Sequence, residues 1–327
     1  MESITKNRQR PATLRAMIAR AYGRARVPAG EDFAVELDHG WFNAVYRITL
    51  GDGAQVVLKV APPAGVEVMT YERDMMRNEL AAVALIEQHT SVPVPRVDFA
   101  DTTREVCDAD YFFMPYVDAD NLSVISPTLG DAERAAYHRA MGRADREFNS
   151  ITGPHFGPLA GPGDDSWRRV FTGMVEAVLR DGEHREVDLG WNYALLRNLV
   201  REHGEALDEV AEPRFVEWDL WDGNVMVRDG GIVSIIDHER AFYGDPLAEA
   251  GFTGTQLPGF GGPTPFMEGY GHPPLTGSQT VRRRLYCLHL ILVMIIETVY
   301  RGHGDDRQYT WTRGQLDALM ALFGHRR

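Results

Sequence analysis

The spacing of apolar residues changes character several times along the chain. Leu14, Ile18 and Tyr22 recur at helical spacing and predict a short amphipathic helix over residues 12–22. From Phe33 to Val60 the texture is that of strands. Residues 33–37, 45–50 and 55–60 predict three of them, with Gly51-Asp52-Gly53 as a turn. Pro62-Pro63 stops the third. Met76, Leu80 and Val83 predict a helix over 70–88, and Val92-Pro93-Val94-Pro95 forbids its continuation. Residues 96–100 and 111–117 then predict a strand pair. The sum is a small antiparallel sheet of about five strands carrying one helix.

Beyond Asp118 the pattern is mostly helical, with helices expected over 131–149, 166–180 and 188–203, near Pro246, and over 278–300 and 312–323. Ser166 is placed to cap the second of these. A strand-rich island, residues 215–236, interrupts them. Residues 258–274, rich in Gly and Pro with Phe260, Phe266 and Tyr270, predict a long ordered loop or a mobile lid. The most apolar stretch, residues 285–300, is broken by His289 and Glu297. It is shorter than the roughly 20 apolar residues a bilayer demands, so a buried core helix is expected.

Charge sharpens this picture. The 327 residues carry a net charge of −13, which argues against nucleic acid or an anionic membrane as partner. Residues 1–116 hold 13 basic and 16 acidic side chains, and residues 117–327 hold 21 and 31. The later part is the acidic one, which supports a boundary near 116 and favours a cationic or neutral small-molecule partner. Two distant cysteines, Cys107 and Cys287, fit neither a disulfide framework nor a metal spacing. With a polar N-terminus lacking a signal-peptide core, a reducing, cytoplasmic setting is expected.

Only two of the 34 basic residues are lysines. Lys6 lies in the polar N-terminal stretch and has no evident role. Lys59 lies inside Val56-Val57-Leu58-Lys59-Val60. Alternation puts Val56, Leu58 and Val60 on one face and Val57 and Lys59 on the other. An inward ammonium needs an anion; the bland reading is an edge-strand lysine that blocks aggregation.

The densest chemical signal is Asp219-Leu220-Trp221-Asp222-Gly223-Asn224 followed by Asp237. A hairpin turn at Asp229-Gly230 would set Asn224 opposite Ile235; one at Gly230-Gly231 would set it opposite Asp237. Either way Asn224 and Asp237 share the open end of one hairpin, and Asp219 sits on the loop leading into it. Oxygen donors of this kind suit Mg²⁺ with phosphate oxygens, and a further carboxylate can orient a hydroxyl or take its proton. The bland reading of all three is turns and caps.

This run resembles the catalytic loop and metal-binding Asp of the protein-kinase-like superfamily. The closer likeness is to the aminoglycoside phosphotransferase family of small-molecule kinases. Gly244-Asp245-Pro246, the Lys59 strand, the Glu79 helix, Val92-Pro93-Val94-Pro95 and Phe113-Met114-Pro115-Tyr116-Val117 follow in the family's order across residues 33–250. The resemblance implies an α+β, two-lobed kinase-like fold: residues 1–116 as a small five-stranded N-lobe with one helix, and 117–327 as a mainly helical C-lobe. It implies Asp219 as the base that positions the acceptor hydroxyl, with Asn224 and Asp237 holding Mg²⁺. Lys59 would meet the phosphates of ATP or GTP, with Glu79, in preference to Glu72, as its partner. Phe42 and Asn43 lie in the phosphate-covering turn Gly40-Trp41-Phe42-Asn43. Backbone groups of Met114 and of Tyr116 or Val117 would bind the purine, because Pro115 has no donor.

Two departures stand out. The family usually has His where this chain has Glu217, and the covering turn lacks repeated glycines. No protein-kinase Ala-Pro-Glu segment follows Asp237, which disfavours a protein substrate. The implied activity is phosphorylation of a hydroxyl on an antibiotic or similar natural product. A metabolic kinase of choline, homoserine or a sugar, a non-catalytic nucleotide-binding regulator, and a kinase of peptide Ser or Thr are the alternatives. Asp164, Asp165, Asp181, Glu183, Glu239 and Glu249 are candidate contacts to a cationic acceptor, and Trp167, Phe260, Phe266 and Tyr270 candidate walls. His238 is expected to pack rather than react.

Overall fold

The computed structural model describes residues 3–37 and 40–326; Met1 and Glu2 of the polar N-terminal stretch lie outside the described residues. About 49% of the described residues are helical. Contacts group the chain into two compact units. The first takes the chain up to Val68, with Pro95–Asp118 and Tyr300–His303. The second takes Met69–Val94, Ala119–Val299 and the chain from Gly304. This grouping interleaves where contiguous lobes divided at 116 were expected: the Glu79 helix belongs with the later chain.

In the first unit, five antiparallel strands form one sheet: β1 (Ala34–Glu36), β2 (Ala44–Thr49), β3 (Gln55–Val60), β4 (Phe99–Asp101) and β5 (Tyr111–Pro115), in the order β1-β2-β3-β5-β4. Helix α1 (Pro11–Tyr22), opened by a proline that needs no donor there, lays Leu14, Met17 and Ile18 against Ala44, Tyr46, Ile48, Val56, Leu58, Val60, Tyr111 and Phe113. The alternation of β3 is the expected one. Lys59 therefore sits on the face away from that core, with Val45 and Phe112 as its cross-strand neighbours. Because β3 is the central strand, the edge-strand reading of Lys59 falls. Lys6 is also corrected: its side chain is enclosed, and Nζ lies 3.3 Å from Glu36 Oε1, while Arg8 Nε holds Glu36 Oε2 at 2.8 Å.

The second unit carries α2 (Met75–His89), β6 (Asp120–Asn121), α3 (Leu122–Ile125), α4 (Asp131–Phe148), β7 (Gly157–Pro158), α5 (Trp167–His184), α6 (Tyr193–His203), β8 (Arg214–Val216), β9 (Val225–Arg228), β10 (Gly231–Ile235), β11 (Phe242–Gly244), α7 (Thr264–Tyr270), α8 (Gly277–Tyr300) and α9 (Arg307–Leu322). Of α8, only Tyr300 falls in the first unit. Two small sheets run β10-β9-β6 and β7-β11-β8. Ser166 caps α5 as expected, accepting from Arg169 N. Helix α6 starts five residues later than expected, where the Asn192 side chain accepts from Ala194 N at 2.8 Å. Residues 70–72 form only a 3₁₀ turn, cut off from α2 by Asp74 at φ +60°. Near Pro246 the chain likewise makes 3₁₀ turns rather than an α-helix.

The expected loop or lid at 258–274 holds a packed helix, Thr264–Tyr270, at its centre. A Cβ at Gly142 of α4 would lie 2.1 Å from Phe266 O, and one at Gly269 of α7 would lie 2.0 Å from Arg139 O. Only glycines let α4 and α7 approach so closely. Helix α8 is mostly buried from Arg282 onward, and no helix among the described residues is long and apolar enough to cross a membrane.

Candidate active site

The hairpin closes at Asp229-Gly230, with φ +50° and +79°, the left-handed pair that a two-residue turn demands. Gly231 pairs with Arg228 and Ile232 with Val227. A bulge before Ser234 then shifts the register by one, so Ile235 pairs with Val225. Neither regular register therefore reaches the open end. Asn224 O instead accepts from Ile236 N at 3.0 Å, and the next residue, Asp237, turns away at φ +70°, ψ +53°. The side chain of Asn224 donates from Nδ2 to Asp219 O at 2.9 Å. That bond ties the two ends of the loop 219–224 and uses the amide's donor, so that Oδ1 is the side-chain atom that could serve as a ligand.

Helix α2 packs against the 3₁₀ turn His238–Arg240 that follows Asp237. Asn78 Nδ2 donates to Glu239 O (3.0 Å) and Ala241 O (2.6 Å), and its Oδ1 accepts from Leu159 N. The same helix sets Glu79 beside this turn. Carboxylate oxygens of Glu79, Asp237 and Glu239 lie within 4.8 Å of one another. Three such oxygens suit a hard divalent cation of the Mg²⁺ type. Glu79 was expected only as the partner of Lys59; Glu239 was one of six candidate contacts to a cationic acceptor. Their grouping with Asp237 comes from α2 belonging to this unit.

Asp219 is about a quarter exposed at its side chain, and Arg240 Nε lies 3.6 Å from its Oδ2. Burial pushes the Asp219 carboxyl up to about 7; Arg240 opposes this, and Asp237 adds to it. The backbone before it is strained, with Trp218, a bulky residue, at φ +64°.

That strain is held by a buried carboxyl group. Glu249 accepts from Glu217 N (2.9 Å), Trp218 N (2.8 Å) and Asn149 Nδ2 (2.8 Å). Burial pushes it up to about 8. Glu217, at the departure from the family pattern, is paired: its Oε1 lies 2.8 Å from His238 Nδ1, while His238 Nε2 lies 3.1 Å from Ile235 O. His238 thus packs, as expected, but it also joins the loop of Asp219 to the turn of Asp237. Close by, Asp145 of α4 is buried with neither oxygen hydrogen-bonded, and burial, then Glu249, then Glu217 push its carboxyl up.

In the first unit Lys59 is 5% exposed, and Phe42 and Asn43 are buried too. The turn of residues 40–43 is anchored: Thr5 Oγ1 donates to Trp41 O at 2.9 Å, the Trp41 ring lies 4.2 Å from that of His303, and Arg301 lies over Phe42 at 5.9 Å. Met114, one residue before the end of β5, lies opposite Val57. The Tyr116 amide already donates to Gln55 O at 3.2 Å. Of the two amides expected at the purine edge, Val117 is therefore the better placed to donate.

Most of the acidic acceptor candidates are engaged elsewhere. Asp164 and Asp165 pair with Arg169, Glu183 with Arg197, and Asp181 accepts from the Thr70 amide and hydroxyl. Trp167 Nε1 donates to the Tyr286 hydroxyl, which donates to Asp245 Oδ2 at 2.6 Å, so Trp167 and the Gly244-Asp245-Pro246 motif are core. Phe266 and Tyr270 pack on Phe252, and Phe260 packs on Trp311. Sequence reasoning missed Arg240 as a neighbour of Asp219 and Glu249 as a clamp.

A family model, that of the phosphotransferase enzyme family (APH), matches residues 34–281. No curated protein sequence matches the chain significantly. Several solved structures share its fold. A thermostable mutant of aminoglycoside phosphotransferase APH(4)-Ia, in ternary complex with AMP-PNP and hygromycin B, is 18% identical over 94% of this chain and 98% of that one, with a TM-score of 0.66. A candidate fructosamine-3-kinase from Thermobifida fusca YX-ER1 is 20% identical over 94% and 98%, with a TM-score of 0.64. APH(2")-IIa in its streptomycin–ATP ternary complex is 15% identical over 98% of both chains, with a TM-score of 0.60. At these identities the likeness is one of fold.

Proposed function

Since the chain belongs to the phosphotransferase enzyme family, we propose that it is a kinase that moves the γ-phosphoryl of ATP or GTP onto a hydroxyl of an antibiotic or similar natural product. The observation that carries this reading is the tie between Asn224 Nδ2 and the Asp219 carbonyl beside the carboxylates around Asp237. It sets a candidate base and candidate metal ligands on one short loop and one turn.

In this reading Asp219 orients the acceptor hydroxyl and accepts its proton as the phosphoryl arrives. Asn224 Oδ1 and Asp237 would hold Mg²⁺, which would neutralise charge on the phosphate oxygens. Lys59 provides the ammonium for the α- and β-phosphates, Phe42 and Asn43 the covering turn, and Met114 and Val117 the purine edge. The acidity of residues 117–327 favours a cationic acceptor. The setting is cytoplasmic.

A metabolic kinase of sugar or amino-alcohol type is the second reading, favoured by the likeness to the candidate fructosamine-3-kinase. The regulator reading rested on Glu217 alone, and the pairing of Glu217 with His238 removes that support. The test is nucleotide turnover with ATP and GTP over a panel of aminoglycosides, other antibiotics, glycated amines and amino alcohols, read by mass spectrometry. A phosphorylated antibiotic is the expected product. Nucleotide binding with no phosphorylated product from the whole panel would overturn the reading. Asp219→Asn should lower kcat by about 10²–10⁴-fold while nucleotide affinity stays near wild type.

A further inference from the structure

From Leu285 to Tyr300 helix α8 is apolar but for Thr298 and two titratable residues, His289 and Glu297; the first meets the loop that carries Asp219, the second the turn that follows Asp237. The His289 ring lies 5.4 Å from that of Trp218. Glu297 Oε2 lies 3.4 Å from Arg240 Nη2. Both are buried, at 4% and 6% exposure, where a polar side chain costs stability unless it is used.

Arg240 stands at the centre of this corner. Its guanidinium carbon lies 5.5 Å from the centre of the Trp218 ring and 5.6 Å from that of Tyr71. The two rings meet edge to face. A guanidinium is planar and always charged, so two aromatic rings and two carboxylates confine its position and its plane. Glu297 is confined in turn. Gln308 of α9 donates from Nε2 to Glu297 Oε1 at 2.8 Å and to Met294 O at 2.9 Å. The resulting chain runs Gln308, Glu297, Arg240, Asp219.

The last link has a telling length. At 3.6 Å, Arg240 Nε is close enough to Asp219 Oδ2 for an ion pair but too far for a hydrogen bond. The cation draws the carboxylate to one side without occupying one of its lone pairs. We propose that Arg240 is a positioning residue that fixes the orientation of the Asp219 carboxylate toward the acceptor hydroxyl, and that Glu297 fixes Arg240. This rests on the reading of Asp219 as the base.

The experiment compares R240Q, R240K, E297Q, R240Q/E297Q and D219N as purified full chains. The probe is phosphorylation of the best acceptor from the panel, or hydrolysis of ATP by water if none turns over. A misplaced carboxylate should lower the kcat of R240Q by about 100-fold, with KM for ATP unchanged. R240K keeps the buried charge without the planar fork, so it should recover part of that loss and remain below wild type. E297Q should fall in the same direction, and the double variant should be no worse than R240Q. Thermal melting identifies variants whose loss is one of folding; R240K then decides the matter. Wild-type kcat in a folded R240Q or R240K, or a loss confined to KM, would overturn the proposal. An active D219N would instead remove the base reading beneath it. An inactive D219N with a fully active R240Q would sink this proposal alone.

Discussion

Glu217 Oε1 and His238 Nδ1 lie 2.8 Å apart with both side chains 1% exposed. The pair bridges the loop that carries Asp219 and the turn that begins at Asp237. The family resemblance places a histidine at position 217; here the acid stands on that loop and the imidazole stands across from it. Removing one partner leaves the other buried and uncompensated. Glu217→Ala should therefore cost about 3–5 kcal/mol of stability, measured by chemical denaturation. Glu217→Gln keeps an acceptor for His238 and should cost less. An Ala variant as stable as wild type would show that the pair is not a brace.

The buried acids next to this pair give the fold a pH dependence. Burial raises Glu249 from an ordinary 4.5 to about 8, and burial with Glu249 and Glu217 raises Asp145. At neutral pH the folded chain therefore binds protons that the unfolded chain has released, so stability falls as pH rises. This contribution is fully present below about pH 4.5 and lost as the pH passes about 8. Melting temperature should decline across that window. Asp145→Asn, which removes the carboxyl with no hydrogen-bond partner, should flatten the decline and raise the melting temperature most near pH 8. An equal decline in the variant would exclude Asp145 as a source.

Lys59 tests the composition directly, because arginine is what this chain uses almost everywhere else. On the central strand, between Val45 and Phe112, a guanidinium is bulkier than an ammonium and cannot act as a compact point charge. Lys59→Arg should fold and yet lose about 10²–10³-fold in kcat/KM with ATP, the range seen when one donor to developing charge is displaced. Near-normal kinetics would return Lys59 to an accident of composition.

Gly142 and Gly269 let α4 and α7 touch through their backbones. An alanine at either site must push a main-chain carbonyl, which no rotamer change relieves. Gly269→Ala should cost about 1–3 kcal/mol, as overpacking does, and calorimetry would show it. Gly173→Ala, with nothing within 4 Å of the new methyl and a better helix former in α5, should instead be neutral or stabilising.

Where short-range patterns decide structure, the sequence was legible. The alternation around Lys59 gave both faces of β3, and Ser166 marked the start of α5. The run from Asp219 to Asp237 gave the hairpin, though the bulge before Ser234 moved its open end by one residue. Less legible was what depends on distant pairing. The glycines at 258–274 suggested freedom, yet Gly269 is there because Arg139 O comes close. His289 and Glu297 were visible as breaks, but nothing local announced that both would meet the Trp218–Arg240 corner. Glu79 was read against Lys59 alone, because its grouping with Asp237 and Glu239 depends on α2 docking on a turn some 160 residues later.

Both lysines of this chain are enclosed, Lys6 beside Glu36 and Lys59 on the central strand. Every basic side chain it offers freely to solvent is therefore an arginine or a histidine. Reagents that acylate lysine, and enzymes that acetylate or ubiquitinate it, find no ready target on the folded surface. Acylation at either position reports an opening of the structure. At Lys59, protection by nucleotide would turn that slow reaction into a footprint of binding, read without knowing the acceptor.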